Sequence, residues 1–269
     1  MRFTIVTPSL NCGDFILENI DSIRKQGLPA DQIEHWVIDG GSTDGTLDIL
    51  KKQPDIQWIS EKDKGLSDAV NKGIQRAKGD WVLWLNADDT LADGALKLFL
   101  EYAEKYPQIR VFCGDEAILR YDGTVEMISK GWDYNLNELL GMRTGMNQAS
   151  TFVHREAYAK AGLLDVSIRY AMDYEWLVRA MHQFECIYIP HVLSNYRRRK
   201  GSIMDANMAK HFETFLAVRR TYKQPVLSLA EFRIRFYIYT DWLRRVTWFR
   251  KCVRKVKKVF GCEPQHPMS

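Results

Sequence analysis

Two kinds of apolar run alternate along the first hundred positions. Short, nearly continuous runs fall at residues 3–7, 35–38, 56–60 and 81–85. Between them, apolar side chains recur every three or four positions, as in Ile16, Ile20 and Ile23 or Leu96, Phe99, Leu100 and Ala103. The short runs predict strands buried on both faces, and the spaced ones predict amphipathic helices. Asp14 stands where an N-cap for the first helix is expected, and Gly27 followed by Pro29 stops it. Asp44 is placed to cap a second helix running to Lys52, and residues 61–73 form a loop feeding a third that runs to about Lys78. Strand and helix alternate four times in this way, which predicts a mostly parallel sheet flanked by helices. Right-handed crossovers put the strand-ending loops, with Ser9, Asp39, Asp63 and Asp88, along one edge.

Beyond a strand at residues 111–114 the rhythm changes. Residues 117–121 and 124–129 flank Asp122-Gly123, a two-residue hairpin signal, so antiparallel strands are expected to join the sheet. Helices are expected at residues 136–141, 155–161 and 173–182. Strands are expected at 151–154, 186–189 and 192–196, the last two separated by Pro190. Residues 205–258 read as mostly helical, interrupted at Gln224-Pro225.

Composition leaves the class unchanged: 269 residues, 46% apolar and 27% charged, make an ordinary globular chain. The five cysteines are scattered without a Cys-x-x-Cys pair, which argues against a disulfide framework or zinc site and fits a reducing cytoplasm. The N-terminus enters a strand pattern without a signal-peptide region, and no run reaches the roughly 18 apolar residues of a spanning helix. Charge does change the picture. Residues 219–258 carry 13 Lys and Arg against Glu231 and Asp241, whereas residues 1–218 carry 25 against 31 Asp and Glu. Two bodies are therefore expected: residues 1–204, with halves 1–114 and 115–204, and a basic helical extension over 205–269. The extension interleaves positive charge with Phe232, Phe236, Tyr237, Tyr239, Trp242, Trp248 and Phe249. That mixture favours an anionic membrane surface over packing on the first body, with nucleic acid the least favoured partner.

The candidate chemistry gathers at the strand ends. Trp81-Val82-Leu83-Trp84-Leu85-Asn86-Ala87-Asp88-Asp89 is an apolar run delivering two acids to the sheet edge. By residue type alone, Asp88 and Asp89 are either a helix cap or ligands for Mg²⁺ or Mn²⁺, which take carboxylate oxygens together with substrate phosphates. Asp39, in the glycine-rich turn Asp39-Gly40-Gly41-Ser42-Thr43-Asp44-Gly45-Thr46, is placed either to accept from a base or ribose or only to turn the chain. Lys64 beside Gly65 is either a diphosphate contact or a solvated charge, and Asp68 and Asn71 lie one turn apart on a helix start. Asp115 and Glu116 follow a strand, where they are either placed to approach an acceptor or, the favoured reading, form a solvated loop pair. The histidines show no HExxH spacing, and no P-loop or G-x-G-x-x-G occurs, which removes the usual ATPase and dinucleotide readings.

Taken together and in order, Thr7-Pro8-Ser9-Leu10-Asn11, the Asp39–Thr46 turn, Asp63-Lys64-Gly65 leading into Asp68-Ala69-Val70-Asn71-Lys72-Gly73, and Leu85-Asn86-Ala87-Asp88-Asp89 resemble the GT-A fold family 2 glycosyltransferases. The resemblance implies a Rossmann-like GT-A sheet and a nucleotide pocket built from Thr7, Pro8, Ser9, Asn11, Asp39, Lys64, Asp68 and Asn86. Asp39 would read the base, and Asp88 and Asp89 would hold the metal. A looser block, Asn147-Gln148-Ala149-Ser150-Thr151-Phe152, Gly162-Leu163-Leu164-Asp165, Asp173-Tyr174-Glu175-Trp176-Leu177 and Tyr196-Arg197 with Gly201-Ser202, resembles the acceptor half and the loop closing over the donor. It implies Asp173 as catalytic base. Asn86, Met172 and Asn147 depart from commoner acids or His at those positions.

The implied activity is inverting, metal-dependent transfer of a sugar from a nucleotide donor, a UDP-sugar first. A hydroxyl of a glycan or lipid-linked acceptor would receive it in cell-surface polysaccharide synthesis, at the inner face of the cell membrane. A non-catalytic nucleotide-sugar or glycan-binding module and a sugar nucleotidyltransferase are the rival readings.

Overall fold

The computed structural model describes residues 2–141, 146–199 and 208–222. The chain divides into two units, Met1–Ala206 and Asn207–Ser269. The first opens with β1 (Phe3–Ser9), α1 (Ile16–Arg24), β2 (Ile33–Asp39), α2 (Thr46–Leu50), β3 (Gln57–Ser60), α3 (Leu66–Arg76) and β4 (Trp81–Trp84). These four strands pair in parallel in the order β3-β2-β1-β4, with Phe3 opposite both Ile33 and Trp81. After β4 come β5 (Thr90–Leu91), α4 (Ala95–Lys105), β6 (Val111–Leu119), β7 (Val125–Ser129), α5 (Leu136–Gly141), β8 (Thr151–His154), α6 (Arg155–Ala161), α7 (Met172–Ala180) and β9 (Cys186–Arg197). They extend the sheet as β8-β6-β9-β5, with β7 paired on β6. Strand β8 runs antiparallel to both β4 and β6, while β6 and β9 run parallel. The sheet is parallel as far as β4 and mixed beyond it.

One connection fixes its shape. Strands β4 and β5 are joined by residues 85–89, yet β8, β6 and β9 lie between them in the sheet. Crossing four strand spacings on a flat sheet is about 19 Å, nearly the full reach of that segment when extended. The segment is not extended: the Asp89 N–H donates to the Asn86 carbonyl at 3.0 Å, closing a turn. The sheet must curl to bring β5 round to it.

The details differ from the sequence reading where tertiary contacts override local signals. Phe15, not Asp14, holds the N-cap position of α1 and makes no side-chain cap, and α2 ends at Leu50 rather than Lys52. The expected breaks after Gly114 and at Pro190 are absent, because β6 and β9 are each one strand. Their register slips beside Gly114 and Asp115, so Ile189 and Val192 face consecutive partners and the proline is bulged out of the ladder. Asp115 and Glu116 consequently lie buried within β6, not in a solvated loop. In the second unit the described structure is α8 (Met208–Thr221). The Gln224-Pro225 break and nearly all of the basic stretch proposed to meet a membrane lie outside the described residues. No described helix is long and apolar enough to cross a membrane.

Helices cover both faces of the first strands. Phe3, Trp81, Phe112 and Phe152 close on Phe99 of α4, with Phe99 and Phe152 stacked at 4.4 Å and Trp81 edge-on at 4.8 Å. Such pairs each contribute about 0.5–1.5 kcal/mol beyond burial. On the other side Val6 meets α3 at Gly73, where an added Cβ would lie 2.2 Å from Val6 Cγ1. In Gly73→Ala the helical gain of about 1 kcal/mol is opposed by overpacking of about 1–3 kcal/mol. A net loss of roughly 1 kcal/mol is expected from urea unfolding midpoints. Combining it with Val6→Ala should cost clearly less than the sum of the two single changes, and strict additivity would show that the contact is not what excludes a side chain there.

Candidate active site

The parallel strands bring their four terminal loops side by side, and hydrogen bonds lock the first to the second. Asn11 N–H donates to Ser42 Oγ at 2.8 Å, and Thr43 N–H to Asn11 Oδ1 at 2.9 Å. Cys12 N–H donates to Thr46 Oγ1 at 3.1 Å, Gly13 N–H to Asp44 Oδ2 at 2.9 Å and Gly40 N–H to the Ser9 carbonyl at 2.8 Å. Asn11 holds φ at +52°, a conformation that asparagine tolerates better than most side chains. Asp39 is fully buried beneath its own turn. Its Oδ2 accepts from Gly41 N–H and Ser42 N–H, both at 2.9 Å, and from Ser60 Oγ at 2.7 Å, while Oδ1 takes the Ser42 hydroxyl. The expected reader of the base is thus the brace of the turn that carries it. Thr7 and Pro8 are likewise internal to β1, whereas the buried Ser9 hydroxyl has no partner among the described residues.

The third loop closes on itself. Asp63 Oδ1 accepts from Gly65 N–H at 2.9 Å, and Asp68 reaches back to Lys64 N–H at 3.0 Å while pairing with Lys72 at 3.4 Å. Lys64 itself is exposed. Gly40 lets the second and third loops approach, since a Cβ there would come within 2.5 Å of Asp63 Oδ2.

The acidic segment is held from below by a residue the sequence reading passed over. Asn19 of α1, buried, donates its amide to the carbonyls of Asn86 at 3.0 Å and Asp89 at 2.8 Å. Its oxygen accepts the Thr7 hydroxyl at 3.5 Å, and Thr7 also bonds His35 Nε2 at 2.9 Å. The one available signal was a polar residue on the apolar face marked by Ile16, Ile20 and Ile23.

Asp88 and Asp89 then diverge. The residue Asp89 is 1% exposed; its Oδ1 accepts from Arg197 N–H at 3.0 Å and its Oδ2 from Asn86 Nδ2 at 3.0 Å. Burial, and after it the charges of Asp88 and Glu116, push the Asp89 carboxyl well above the usual carboxylate range. The Asp88 side chain keeps 16% exposure, and its Oδ2 lies 2.6 Å from Arg199 Nε. Of the pair, Asp88 offers the open carboxylate and Asp89 ties the segment to β9. Among the described residues no group of three His, Cys, Asp or Glu side chains forms a cage for a cation. A single carboxylate with room for phosphate oxygens still suits Mg²⁺ or Mn²⁺. The guanidinium already resting on Asp88 shows that this oxygen is one that a cation satisfies.

The mixed half of the sheet joins this segment through Gln148, which donates to the Trp84 carbonyl at 2.6 Å and accepts from Asn86 Nδ2 at 3.5 Å. Trp84 and Gln148 line a small concavity with Met146, Trp176, Leu177 and Asp173. Asp173, half-buried in the first turn of α7, follows Ala171, which holds φ at +51°. Helix α3 is bonded to this half by Asn71, which exchanges two hydrogen bonds with the backbone of Leu164, at 2.8 and 3.0 Å. Asn147, standing where a His is commoner, is a buried hub: its amide bridges the Gly114 and Ser129 carbonyls at 2.8 and 3.0 Å. The structure thus brings Asn86 to Gln148 at the concavity that Asp173 lines, while Asp39 and Asp68 brace their own turns, Asn11 ties the first loop to the second and Thr7 bonds Asn19 and His35.

The family model described as Glycosyl transferase family 2 matches residues 4–164. A PGL/p-HBAD biosynthesis glycosyltransferase of Mycobacterium bovis (strain BCG / Pasteur 1173P2) is 30% identical over 231 residues, covering 81% of this chain and 87% of that protein. Among solved structures, S. aureus TarS 1-349 in complex with UDP superposes with a TM-score of 0.65 at 16% identity, over 81% of this chain and 65% of that one. The mannosyltransferase PcManGT from Pyrobaculum calidifontis, in complex with GDP-Man and Mn²⁺, gives 0.62 at 18% identity, over 99% and 76%. At these identities the two structures speak for the fold, and that fold is the GT-A arrangement.

Glu116, expected in a solvated loop, has a different character in the structure. Buried in β6, it accepts from the Ser194 hydroxyl at 3.3 Å. Burial above all, with a smaller contribution from Asp173, raises its carboxyl to about 8. A carboxyl raised in the folded state retains a proton that the unfolded chain has given up, so its contribution is intact below the unfolded pKa and lost as pH rises through about 8. Glu116→Gln should therefore remove a decline in stability of up to about 1.4 kcal/mol per pH unit between roughly pH 4.5 and 8. Urea unfolding across that range measures it; parallel pH curves for the two proteins would refute the assignment.

Proposed function

The chain belongs to glycosyl transferase family 2, and from that premise we propose that it moves a sugar from a UDP-sugar to a hydroxyl of a glycan or lipid-linked acceptor. The transfer inverts the anomeric carbon and uses Mg²⁺ or Mn²⁺. The UDP in the TarS complex supports the donor class, and relatives named for PGL/p-HBAD biosynthesis and, in Bacillus subtilis, for teichuronic acid biosynthesis support the acceptor class. The observation that supports the reading is that Gln148, which lines the concavity with Asp173, bonds Trp84 and Asn86 of the segment that carries Asp88, whose carboxylate is the more accessible of the two neighbouring acids.

In this reading the first three loops form the nucleotide pocket. The rigid turns held by Asn11, Asp39 and Asp68 present backbone groups, and the unpartnered Ser9 hydroxyl and exposed Lys64 meet the nucleotide and its diphosphate. Asn86 sets the turn that aims Asp88, and Asp89 anchors that turn to β9. Bound at Asp88, the divalent cation supplies Lewis-acid neutralisation of the charge that develops on the departing diphosphate. Asp173 accepts the proton of the acceptor hydroxyl as its oxygen bonds to the anomeric carbon and the bond to the diphosphate breaks, releasing a nucleoside diphosphate. The largely apolar walls around Asp173 exclude water that would otherwise take the sugar.

Two outcomes test this. Asp173→Asn should lower turnover by at least a hundredfold, within the range that general-base loss produces, while UDP affinity stays within about twofold. Substantial residual turnover would remove Asp173 from the role. Treating the enzyme with EDTA should abolish release of nucleoside diphosphate from a UDP-sugar, and added Mn²⁺ should restore it; undiminished release after chelation would contradict the metal.

A further inference from the structure

Three arginines end β9, and each is held differently. Arg197 is 5% exposed: one terminal nitrogen of its guanidinium reaches both oxygens of Glu18 at 2.8 Å, the other donates to the Tyr121 carbonyl at 3.3 Å, and the group lies 5.4 Å from the centre of the Phe15 ring. Its backbone N–H is the donor to Asp89. Arg198 pairs with Glu126 at 3.0 Å, on the hairpin. Arg199 shares the Phe15 ring, at 5.3 Å, and places its guanidinium on Asp88. Of the three, Arg199 alone is set against the acid proposed to take the metal, and it is held there by one ion pair and one ring face.

We infer that Arg199 and the divalent cation compete for Asp88, so that the metal enters together with the nucleotide rather than before it. The inference rests on the reading that Asp88 is the metal's carboxylate. Two positive charges cannot occupy one carboxylate oxygen with its single negative charge in a partly buried site without strong repulsion. Without nucleotide, metal binding must break the Arg199–Asp88 pair, and the apparent affinity falls by the fraction of molecules in which that pair is open. A diphosphate changes the balance. It offers Arg199 a second anion, with which guanidinium forms two parallel hydrogen bonds, and it offers the metal its own oxygens. Arg197, bolted to Glu18 beneath the same ring, keeps the strand end in place while Arg199 exchanges partners. The arrangement protects Asp88 from adventitious cations and couples metal and donor: each tightens the other by the same factor.

Direct Mn²⁺ binding to the full-length, metal-stripped protein, read from the electron paramagnetic resonance signal of unbound Mn²⁺, tests this without relying on turnover. With Mn²⁺ alone, Arg199→Ala should bind about tenfold more tightly than the wild type, a typical coupling. Arg199→Lys should return most of the way to the weak wild-type affinity, and saturating UDP should bring wild type and Arg199→Ala within about threefold of one another. Phe15→Leu, which removes the ring but leaves every charge, should move affinity in the same direction by a smaller factor and serves as the second variant if Arg199→Ala folds poorly. Equal Mn²⁺ affinity in wild type, Arg199→Ala and Phe15→Leu without nucleotide would overturn the competition. A separate failure is recognisable: if Asp88→Asn leaves Mn²⁺ binding unchanged in the Arg199→Ala background, Asp88 is not the metal's carboxylate and the underlying reading falls first.

Discussion

A five-residue tether governs this molecule. Residues 85–89 must carry the chain from β4 to β5 across the places of three other strands, and they do so while folded into a turn. A tether that short cannot follow a flat sheet, so the sheet bends until its distant edge meets the turn. The acids of the turn are thereby set at the mouth of the curl, between the parallel strands that end in the nucleotide loops and the mixed strands that lead to Asp173. The clamp of Asn19 on the Asn86 and Asp89 carbonyls keeps the turn from relaxing. The placement of these acids is a by-product of connectivity, and it is stabilised by buried polar contacts whose loss would leave donors and acceptors unpaired.

The same turn divides labour between two neighbouring acids. Consecutive residues in a tight turn point to different sides, and Asp89 uses its inward side to hold β9 while Asp88 uses its outward side on Arg199. Around them the burial of Glu116 and Asp89 favours their protonated forms, which keeps three acids from repelling one another in a small volume. What remains charged at the edge is Asp88, balanced by a cation. The site therefore holds its negative charge where a ligand can use it and suppresses the rest.

Much of this was legible in the sequence, and the limits of legibility have physical causes. Doubly buried parallel strands read as continuous apolar runs, so β1 to β4 and their loops stood out, and with them the family. The mixed half was harder. Strand β5 has two residues and no pattern of its own, and β9 crosses Pro190 by a bulge that depends on its partner β6. Residue type and spacing singled out Thr7, Asn11, Asp39 and Asp68 but carry no information about where each side chain turns; the structure turns Asn11, Asp39 and Asp68 onto neighbouring backbone N–H groups and Thr7 onto Asn19 and His35. Asn19, Glu116 and Gln148 act through partners 60 or more residues away or through strands formed only by the whole sheet, and no local signal marks such pairs.

The two hydrogen bonds between Asn71 and Leu164 have a further consequence. They join the helix that starts at the third strand-ending loop to the segment preceding α7, and so set the distance between the parallel and mixed halves of the sheet. On the Leu164 side the contact is made entirely by main-chain atoms, which every non-proline residue carries. The mixed half can therefore exchange its side chains widely, while the ruler that spaces it from the parallel half is read by a single asparagine and keeps its calibration.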